Sequence, residues 1–226
     1  MMKQLFRIAV ILIASTVFLA CNEGKEKKTE ELSSEDIAMY MAKGDSISSH
    51  AQKTLMANVA SAIKEGGTDY AVDFCNTAAM PLTDSIASMH QSKIERLTDK
   101  NRNPNNTLSA EIDIEVWEKM MAAFQSNEAT KDYVEQEDGE VYFYRPIHIA
   151  METCLKCHGG NDDISESTRK IIAEKYPNDK AMGYEMGDLR GMWKVKLNQD
   201  ACDVHADRLC SGPASPAIHH ETQRSK

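Results

Sequence analysis

The spacing of apolar residues predicts a long helix near the start of the chain. Leu55, Val59 and Ile63 recur at four-residue intervals, which places them on one face of an α-helix. Ser33 is a good N-cap residue ahead of this segment, and Gly66–Gly67 stand where the pattern stops. The sequence therefore predicts one long helix between these two signals.

A shorter helical segment follows the glycine pair. It carries Phe74, Cys75 and Ala78 on one side. Pro81 is expected to break it, because proline lacks the backbone N–H that a helix interior needs. A further helical stretch then runs toward His90. Cys75 is thus predicted to lie on an apolar helix face.

The middle of the chain predicts a strand, a loop and an amphipathic helix. Residues 93–99 alternate in character, and residues 100–106 contain the Asn-Pro and Asn-Asn pairs that favour a loop. Residues 109–127 have helical periodicity. The apolar face of this helix is expected to consist of Ile114, Trp117, Met121 and Phe124.

Turn chemistry predicts a β-hairpin over residues 131–151. Asp138–Gly139 is a strong two-residue turn signal, and the flanking tyrosines and valines favour strands. A helix is predicted over residues 165–177 and a last strand within residues 183–197. The whole pattern predicts an α+β fold, in which helices flank a small antiparallel sheet after a long N-terminal helix.

The first 21 residues have the layout of a secretory signal peptide. Two basic residues precede an apolar run from Ile8 to Ala20 that is shorter than the roughly 20 residues of a membrane span. Cys21 follows directly, as in a bacterial lipobox, where the cysteine is acylated and becomes the mature N-terminus. Residues 22–33 form a polar tether. We expect an exported, periplasm-facing lipoprotein anchored to a bacterial membrane through this lipid; a plain signal peptide with an incidental cysteine is the alternative.

Composition and charge describe a globular domain with no affinity for nucleic acid. Hydrophobic residues make up 42% and charged residues 27% of the 226 positions, which is ordinary for a folded protein. We assign residues 34–198 to a single domain. The net charge of −9 argues against a nucleic-acid partner, because phosphate binding needs a basic surface.

The stretch from Cys154 to His158 carries the most specific chemistry. Zinc would need a fourth ligand, and a redox dithiol would give the histidine no role. A haem attached through two thioether bonds uses both thiols and places the next residue under the iron. Export supports this interpretation, because haem c is attached outside the cytoplasm. We expect one covalent haem c on Cys154 and Cys157, with His158 as the proximal iron ligand.

Several separated motifs resemble a known family. They are FCNTAAMP at 74–81, RLTDKNRNPNN at 96–106, VWE at 116–118, RPI…CLKCHGG at 145–160 and YPNDKAMGYEMGDLRGMWKV at 176–195. Together they resemble the single-haem c-type family with a PAS-like fold, long catalogued as a domain of unknown function. Its members occur alone in the periplasm or as sensory modules ahead of kinases and cyclases. The resemblance covers roughly residues 34–198 and implies a PAS-like antiparallel sheet flanked by helices.

The resemblance also implies the second axial ligand. In this family a cysteine in the short helix ahead of the Ala-x-Pro segment binds the iron, and the matching residue is Cys75. Thioether sulfur is a common haem c ligand too, and His148 is a weaker rival. The thirteen methionines of the chain offer rivals, among them Met80, Met151, Met182 and Met186. Cysteine ligation predicts a low-potential haem without a vacant site, whereas methionine ligation predicts a high-potential electron carrier.

Four more residues are predicted to contact the cofactor. Arg102 and Arg96 are candidates for pairing with the haem propionates, since a guanidinium matches a carboxylate bidentately. Tyr144 and Arg145 approach the motif along a strand and are expected to line its pocket. These four complete the predicted site.

The C-terminal segment, residues 199–226, has no counterpart in the family. We expect it to be largely disordered. Cys202 and Cys210 have the option of pairing as a disulfide in an oxidising compartment. The histidines of this segment, His205, His219 and His220, have the option of binding metal weakly.

Two functions stay open on the sequence. One is a redox or small-ligand sensor, or partner-binding module, that acts on a separate redox or signalling protein, as the PAS-like resemblance favours. The other is a membrane-tethered, single-haem electron-transfer cytochrome. A haem enzyme would need an open iron site with acid–base residues beside it, and we find no such constellation in the sequence. We therefore assign no enzymatic activity.

Overall fold

The computed structural model describes residues 31–198. The predictions for the signal peptide, for Cys21, for most of the 22–33 tether and for the 199–226 segment lie outside the described residues. Cys202, Cys210 and the three histidines of that segment are among them. Within 31–198, no helix combines the length and the hydropathy that a membrane span requires.

The long first helix, α1 (Ser34–Thr77), begins and bends where its sequence signals predict. The Ser33 side chain accepts from the backbone N–H of Asp36, whose carboxylate accepts from the Ser33 backbone in return. Gly66 and Gly67 are non-helical, and Gly67 adopts a φ of 75° that favours glycine. The expected end of the helix is therefore a kink, after which helical structure resumes and carries Cys75.

The break expected at Pro81 lies three residues earlier. The chain leaves α1 at Ala78 and enters α2 (Ala79–Met89) directly. Pro81 lies in the first turn of α2, where a backbone N–H has no helical acceptor, so the proline starts this helix instead of ending the previous one. The position predicted for the break was wrong for this reason.

Four antiparallel strands form one sheet. They are β1 (Lys93–Leu97), β2 (Tyr133–Glu137), β3 (Glu140–His148) and β4 (Leu189–Leu197), in the order β1-β4-β3-β2. The β2–β3 hairpin turns at Asp138 and Gly139, whose φ angles of 53° and 79° match the predicted tight turn. The last strand in sequence thus lies at the centre of the sheet, beside the first.

Helix α1 packs on one face of the sheet. Ile47, Ala51 and Leu55 contact a core that includes Phe143 and Trp193. A Cβ on Gly44 would lie 2.0 Å from the Phe143 ring, so only glycine permits this close approach of helix and strand. Alternate residues of β3 and β4 therefore point toward α1.

The opposite face of the sheet is covered by α3 (Glu111–Gln125). Its buried residues are Ile112, Asp113, Val116, Trp117 and Met120. Ile114, which the sequence placed on the apolar face, is 40% exposed. Trp117 is buried and Met121 and Phe124 pack against the same core, as predicted, so the error in the predicted face is confined to Ile114.

Two short helices complete the described part of the chain. They are α4 (Glu152–His158), which contains the Cys-x-x-Cys-His motif, and α5 (Glu166–Lys175). Ile172 and Tyr176 pack against Val72 in the second half of α1. The predicted α+β, PAS-like architecture, with an antiparallel sheet flanked by helices and a long first helix, is confirmed.

Candidate cofactor site

A cavity of about 260 Å³ lies where α1, α4 and one end of the sheet meet. Its lining includes three cysteines and a histidine of the predicted site: Cys75, Cys154, Cys157 and His158. Arg96 and Arg102 line it too, with Arg190, Leu55, Trp193 and Tyr176. Residues separated by about 80 positions of sequence are thus brought to one enclosed space.

The motif helix presents its reactive side chains on adjacent turns. Cys154 and Cys157 are three residues apart in α4 and therefore lie on one helix face. His158 donates from Nδ1 to the Ala181 carbonyl oxygen at 2.8 Å. This bond fixes the tautomer and leaves the Nε2 lone pair as the free donor to a metal.

Burial keeps the imidazole of His158 neutral. Desolvation lowers its pKa well below the ordinary value, and the Arg190 and Arg102 guanidiniums lower it further. Neutral imidazole is the form that binds a metal. The site therefore holds His158 in a ligand-competent state.

The segment 181–184 packs against the backbone at the end of α4. The Tyr184 N–H donates to the His158 carbonyl at 3.0 Å, and the Gly183 N–H donates to the Gly159 carbonyl at 2.9 Å. A Cβ on Gly159 would lie 2.7 Å from the Leu155 carbonyl oxygen, which explains a glycine directly after the histidine. These contacts fix the side of the imidazole that faces away from the cavity.

Cys75 approaches the cavity from the kinked part of α1. Burial raises the pKa of its thiol, while the Arg96 and Arg102 guanidiniums act in the opposite direction. Burial also raises the pKa of Cys157 to about 11. Cys75, Cys154 and Cys157 are all free thiols. Cys75 has two neighbouring guanidiniums, which would stabilise its thiolate form when a metal binds.

The rival ligands are less well placed. Both ring nitrogens of His148 are engaged, Nε2 with the Thr130 hydroxyl at 2.8 Å and Nδ1 with the Gly187 carbonyl at 2.9 Å. Of the four methionines named from the sequence, Met151 lines the cavity, whereas Met80, Met182 and Met186 do not. Met151 is 46% exposed. Met56 of α1 lines the cavity as well, so Met56 and Met151 are the methionine alternatives that the geometry keeps.

Three arginines surround the cavity, and one of them was missed from the sequence. Arg96 lies over the Trp193 ring at 5.7 Å and has no hydrogen bond or ion pair within residues 31–198. Arg190 donates to the Lys100 carbonyl at 3.2 Å and lies over Tyr184. Arg190 belongs to the Gly-Asp-Leu-Arg-Gly stretch, whose arginine was the available signal.

Arg102 is committed to protein oxygens. Its Nη2 lies 2.7 Å from the Cys157 carbonyl oxygen, 3.0 Å from Asp179 Oδ2 and 3.3 Å from the Ala181 carbonyl oxygen. The Arg102–Asp179 ion pair is nearly buried, with side chains 10% and 7% exposed. Arg102 therefore ties α4 to the loop that follows α5, which the sequence did not predict.

Tyr144 and Arg145 do not line the cavity, and this part of the prediction needs correction. The Tyr144 hydroxyl lies on the α3 face of the sheet and donates to Asp113 at 2.8 Å. Arg145 extends to α1, where Nη1 contacts Asp45 and Ser49, each at 2.6 Å. Strand alternation separates Tyr144 from the cavity, and ion pairing draws Arg145 away from it.

The two thiols, the imidazole and the arginines that line the cavity fit a cofactor that carries carboxylates and is attached through thioether bonds. Arg102 Nε, Arg190 Nε and Tyr184 Oη are buried without a hydrogen-bond partner in the part of the chain that the structure describes. No three His, Cys, Asp or Glu side chains of 31–198 converge closely enough to hold a bare metal ion. A zinc cage of protein ligands alone is therefore short of donors here, whereas thioether attachment, an imidazole and carboxylate-binding arginines suit haem.

Comparisons with known proteins agree with the motifs. The family model described as Tll0287-like matches residues 25–198. A solved structure, that of the cyanobacterial haem protein Tll0287, matches with a TM-score of 0.51 and 22% sequence identity, covering 74% of this chain and 98% of that one. Among curated protein sequences, a search finds no significant match. The family predicted from the separated motifs is confirmed: the chain belongs to the Tll0287-like family.

Proposed function

We propose that the chain is a haem c protein with one haem joined to Cys154 and Cys157. His158 is its proximal ligand and Cys75 its distal ligand. The observation that carries this proposal is that Cys75, on α1, lines the same cavity as the three motif residues on α4. The haem protein Tll0287, whose fold this chain shares, supports the choice of cofactor.

Each residue of the site has a distinct task. His158 offers Nε2 because Ala181 holds Nδ1, and the two thiols of α4 anchor the cofactor. Arg96 and Arg190 are the cations with capacity left for propionates, since Arg102 is already paired with Asp179. Bound haem would supply one-electron redox chemistry. Leu55 and Trp193 contribute apolar surface to the cavity wall.

The role we assign is redox or small-ligand sensing, or partner binding, by an exported lipoprotein. Cys75 opposite His158 would fill both axial positions, which favours an electron as the input over a gas. The lipid on Cys21 would hold the domain at a bacterial membrane, facing the periplasm, and a separate redox or signalling protein would receive the signal. No enzymatic step is assigned.

Electron transfer is the second candidate, and one observation favours it. On α4, Glu152, Thr153 and Lys156 are exposed to solvent, whereas His158 faces the cavity. A cofactor attached there would lie close to the molecular surface, within reach of a redox partner. An electron carrier needs its cofactor within reach of the redox partner, whereas a sensor also needs a conformational response.

Spectroscopy of three proteins tests the proposal. The wild type, Cys75→Ser and Cys75→Ala are expressed with a working cytochrome c maturation system. We expect the mass of one haem on all three, low-spin ferric iron in the wild type, and altered axial ligation in both variants. Unchanged low-spin spectra in the variants would contradict Cys75 as the ligand and direct attention to Met56 and Met151. A colourless wild type without added mass would refute the cofactor itself.

A further inference from the structure

The backbone carbonyl of Ala181 serves two donors at once. His158 Nδ1 donates to this oxygen at 2.8 Å, and Arg102 Nη2 lies 3.3 Å from the same atom. A carbonyl oxygen has two lone pairs, so it accepts both bonds. A hydrogen bond from Arg102 withdraws electron density from the Ala181 oxygen and so weakens the hydrogen bond from His158, and the reverse holds too. The two hydrogen bonds are therefore coupled.

Asp179 holds this arrangement in place. Its Oδ2 pairs with Arg102 Nη2 at 3.0 Å, and its Oδ1 accepts from the Ala181 N–H at 2.9 Å. Arg102 Nη2 also contacts the Cys157 carbonyl at 2.7 Å. The buried Arg102–Asp179 ion pair therefore fixes Cys157, which precedes His158, and Ala181, whose carbonyl accepts the His158 Nδ1–H bond. The geometry of the imidazole depends on both.

We propose that Arg102 is a positioning residue that sets how strongly His158 donates to the iron, through the Ala181 carbonyl that they share. This inference rests on the proposed haem ligation. A histidine that donates a strong Nδ1–H bond is a more basic ligand and stabilises ferric iron. Arg102 weakens that bond by sharing its acceptor, and its positive charge acts in the same direction. Arg102 therefore raises the reduction potential of the site.

Three variants separate this role from simple charge or packing. Arg102→Gln removes the charge and the fork of donors, Arg102→Lys keeps the charge without the fork, and Arg145→Gln is the control. Arg145 is an arginine of the same domain whose ion pair with Asp45 lies away from the cavity. All are compared with the wild type as haem-loaded proteins of verified mass.

The midpoint reduction potential and the NMR signal of the His158 Nδ1 proton are the two readouts. We expect Arg102→Gln to shift the potential to a more negative value, and Arg102→Lys to shift it less. Both should move the Nδ1 proton signal, and Arg145→Gln should move neither readout. An Nδ1 signal that stays at its wild-type position in both Arg102 variants would overturn the proposal.

A further variant keeps the test decisive if Arg102→Gln does not fold. Asp179→Asn retains Arg102 and releases it from its carboxylate, so the potential should shift to a more positive value. A negative shift, or none, would overturn the proposal. The loss of a negative charge also raises the potential by itself, so a His158 Nδ1 proton signal that stays at its wild-type position in this variant would overturn the proposal too. A wild type that carries no haem would instead refute the proposed function, which the mass of the protein reports separately.

Discussion

The two sides of the sheet each bury a group of charges, and they differ in how fully those charges are satisfied. On the α3 side, Asp113 accepts from the Tyr144 hydroxyl at 2.8 Å and from Lys194 at 2.6 Å. Lys194 also lies over the Tyr142 ring at 4.4 Å. Acid, base and hydroxyl partner one another, so this group is complete within the fold.

On the cavity side the balance is different. Arg102 is paired with Asp179, whereas Arg96 and Arg190 have no ion pair within residues 31–198. Burial lowers the pKa of both guanidiniums, as expected for cations held away from water. Both side chains are partly buried. An uncompensated charge that is largely removed from water is costly, so a fold that retains two of them favours a partner from outside the chain.

The difference between the two sides separates polar groups that stabilise the fold from polar groups that have capacity left for a ligand. The Tyr144 group would look like a functional site from its residue types alone. Its closure shows that it stabilises the packing of α3 on the sheet. The cavity group is recognised by its excess of donors over acceptors, which is a property of the assembled structure.

The largest expected effect is on the α3 side. Asp113→Ala should destabilise the protein by about 3–5 kcal/mol, because it leaves Lys194 buried without its partner. Urea unfolding followed by circular dichroism measures the change. The absorption spectrum of the haem-loaded protein should be unchanged in the fraction that folds, and a shifted spectrum would mean that the two sides are not independent.

A matched pair of tyrosine variants sharpens the contrast. Tyr144→Phe removes a hydrogen bond to a carboxylate and should lower the free energy of unfolding by about 1.5–3 kcal/mol. Tyr184→Phe removes a hydroxyl that makes no hydrogen bond of good geometry among the described residues, so its loss should be clearly smaller than that of Tyr144→Phe. Equal losses from both variants, measured in the protein without haem, would contradict the distinction.

The effect of Arg96→Met on the free energy of unfolding should change sign when the cofactor is attached. Without haem, the variant loses an uncompensated charge and should be more stable by about 1 kcal/mol. With haem attached, it loses a propionate partner and should be less stable than the wild type. Urea unfolding of both forms measures the two values, and a stability change of the same sign in each would remove Arg96 from the cofactor site.

The smallest effect belongs to an exposed ion pair at the edge of α3. Lys119 donates to Glu135 at 2.8 Å, and the partners' side chains are 47% and 30% exposed. Lys119→Ala should cost less than about 1 kcal/mol, and added salt should diminish the difference. A loss as large as that of Asp113→Ala would show that burial does not decide between the two pairs.

The pH dependence of this pair follows from the direction of its shift. The hydrogen bond to Glu135 raises the pKa of Lys119 above its ordinary value of 10.5. The contribution to stability is therefore complete below that value and is lost as the pH rises through the folded-state pKa. The difference between wild type and Lys119→Ala should vanish in that alkaline range, as urea unfolding at a series of pH values would measure.

Local signals in the sequence were enough for most of the fold. The Ser33 cap and the Asp138–Gly139 turn each depend on a few neighbouring residues, and each was placed correctly. The break at Gly66–Gly67 was also placed correctly, although it is a kink and not the predicted end of the helix. Pro81 and Ile114 were misplaced because proline is favoured in a first turn as well as outside a helix, and because several faces of α3 carry apolar residues. The errors arose where one local pattern permits two structures.

The sequence by itself determined the chemistry: two thiols and an imidazole at fixed spacing in one short segment. Only the tertiary structure decided what surrounds them. The closeness of Cys75 and Arg190 to the motif, the Arg102 contact with Ala181 and the separation of Tyr144 from the cavity all depend on how distant elements pack. Spacing along the chain fixes which groups one helix can present, whereas contacts between distant residues depend on the packing of the whole domain.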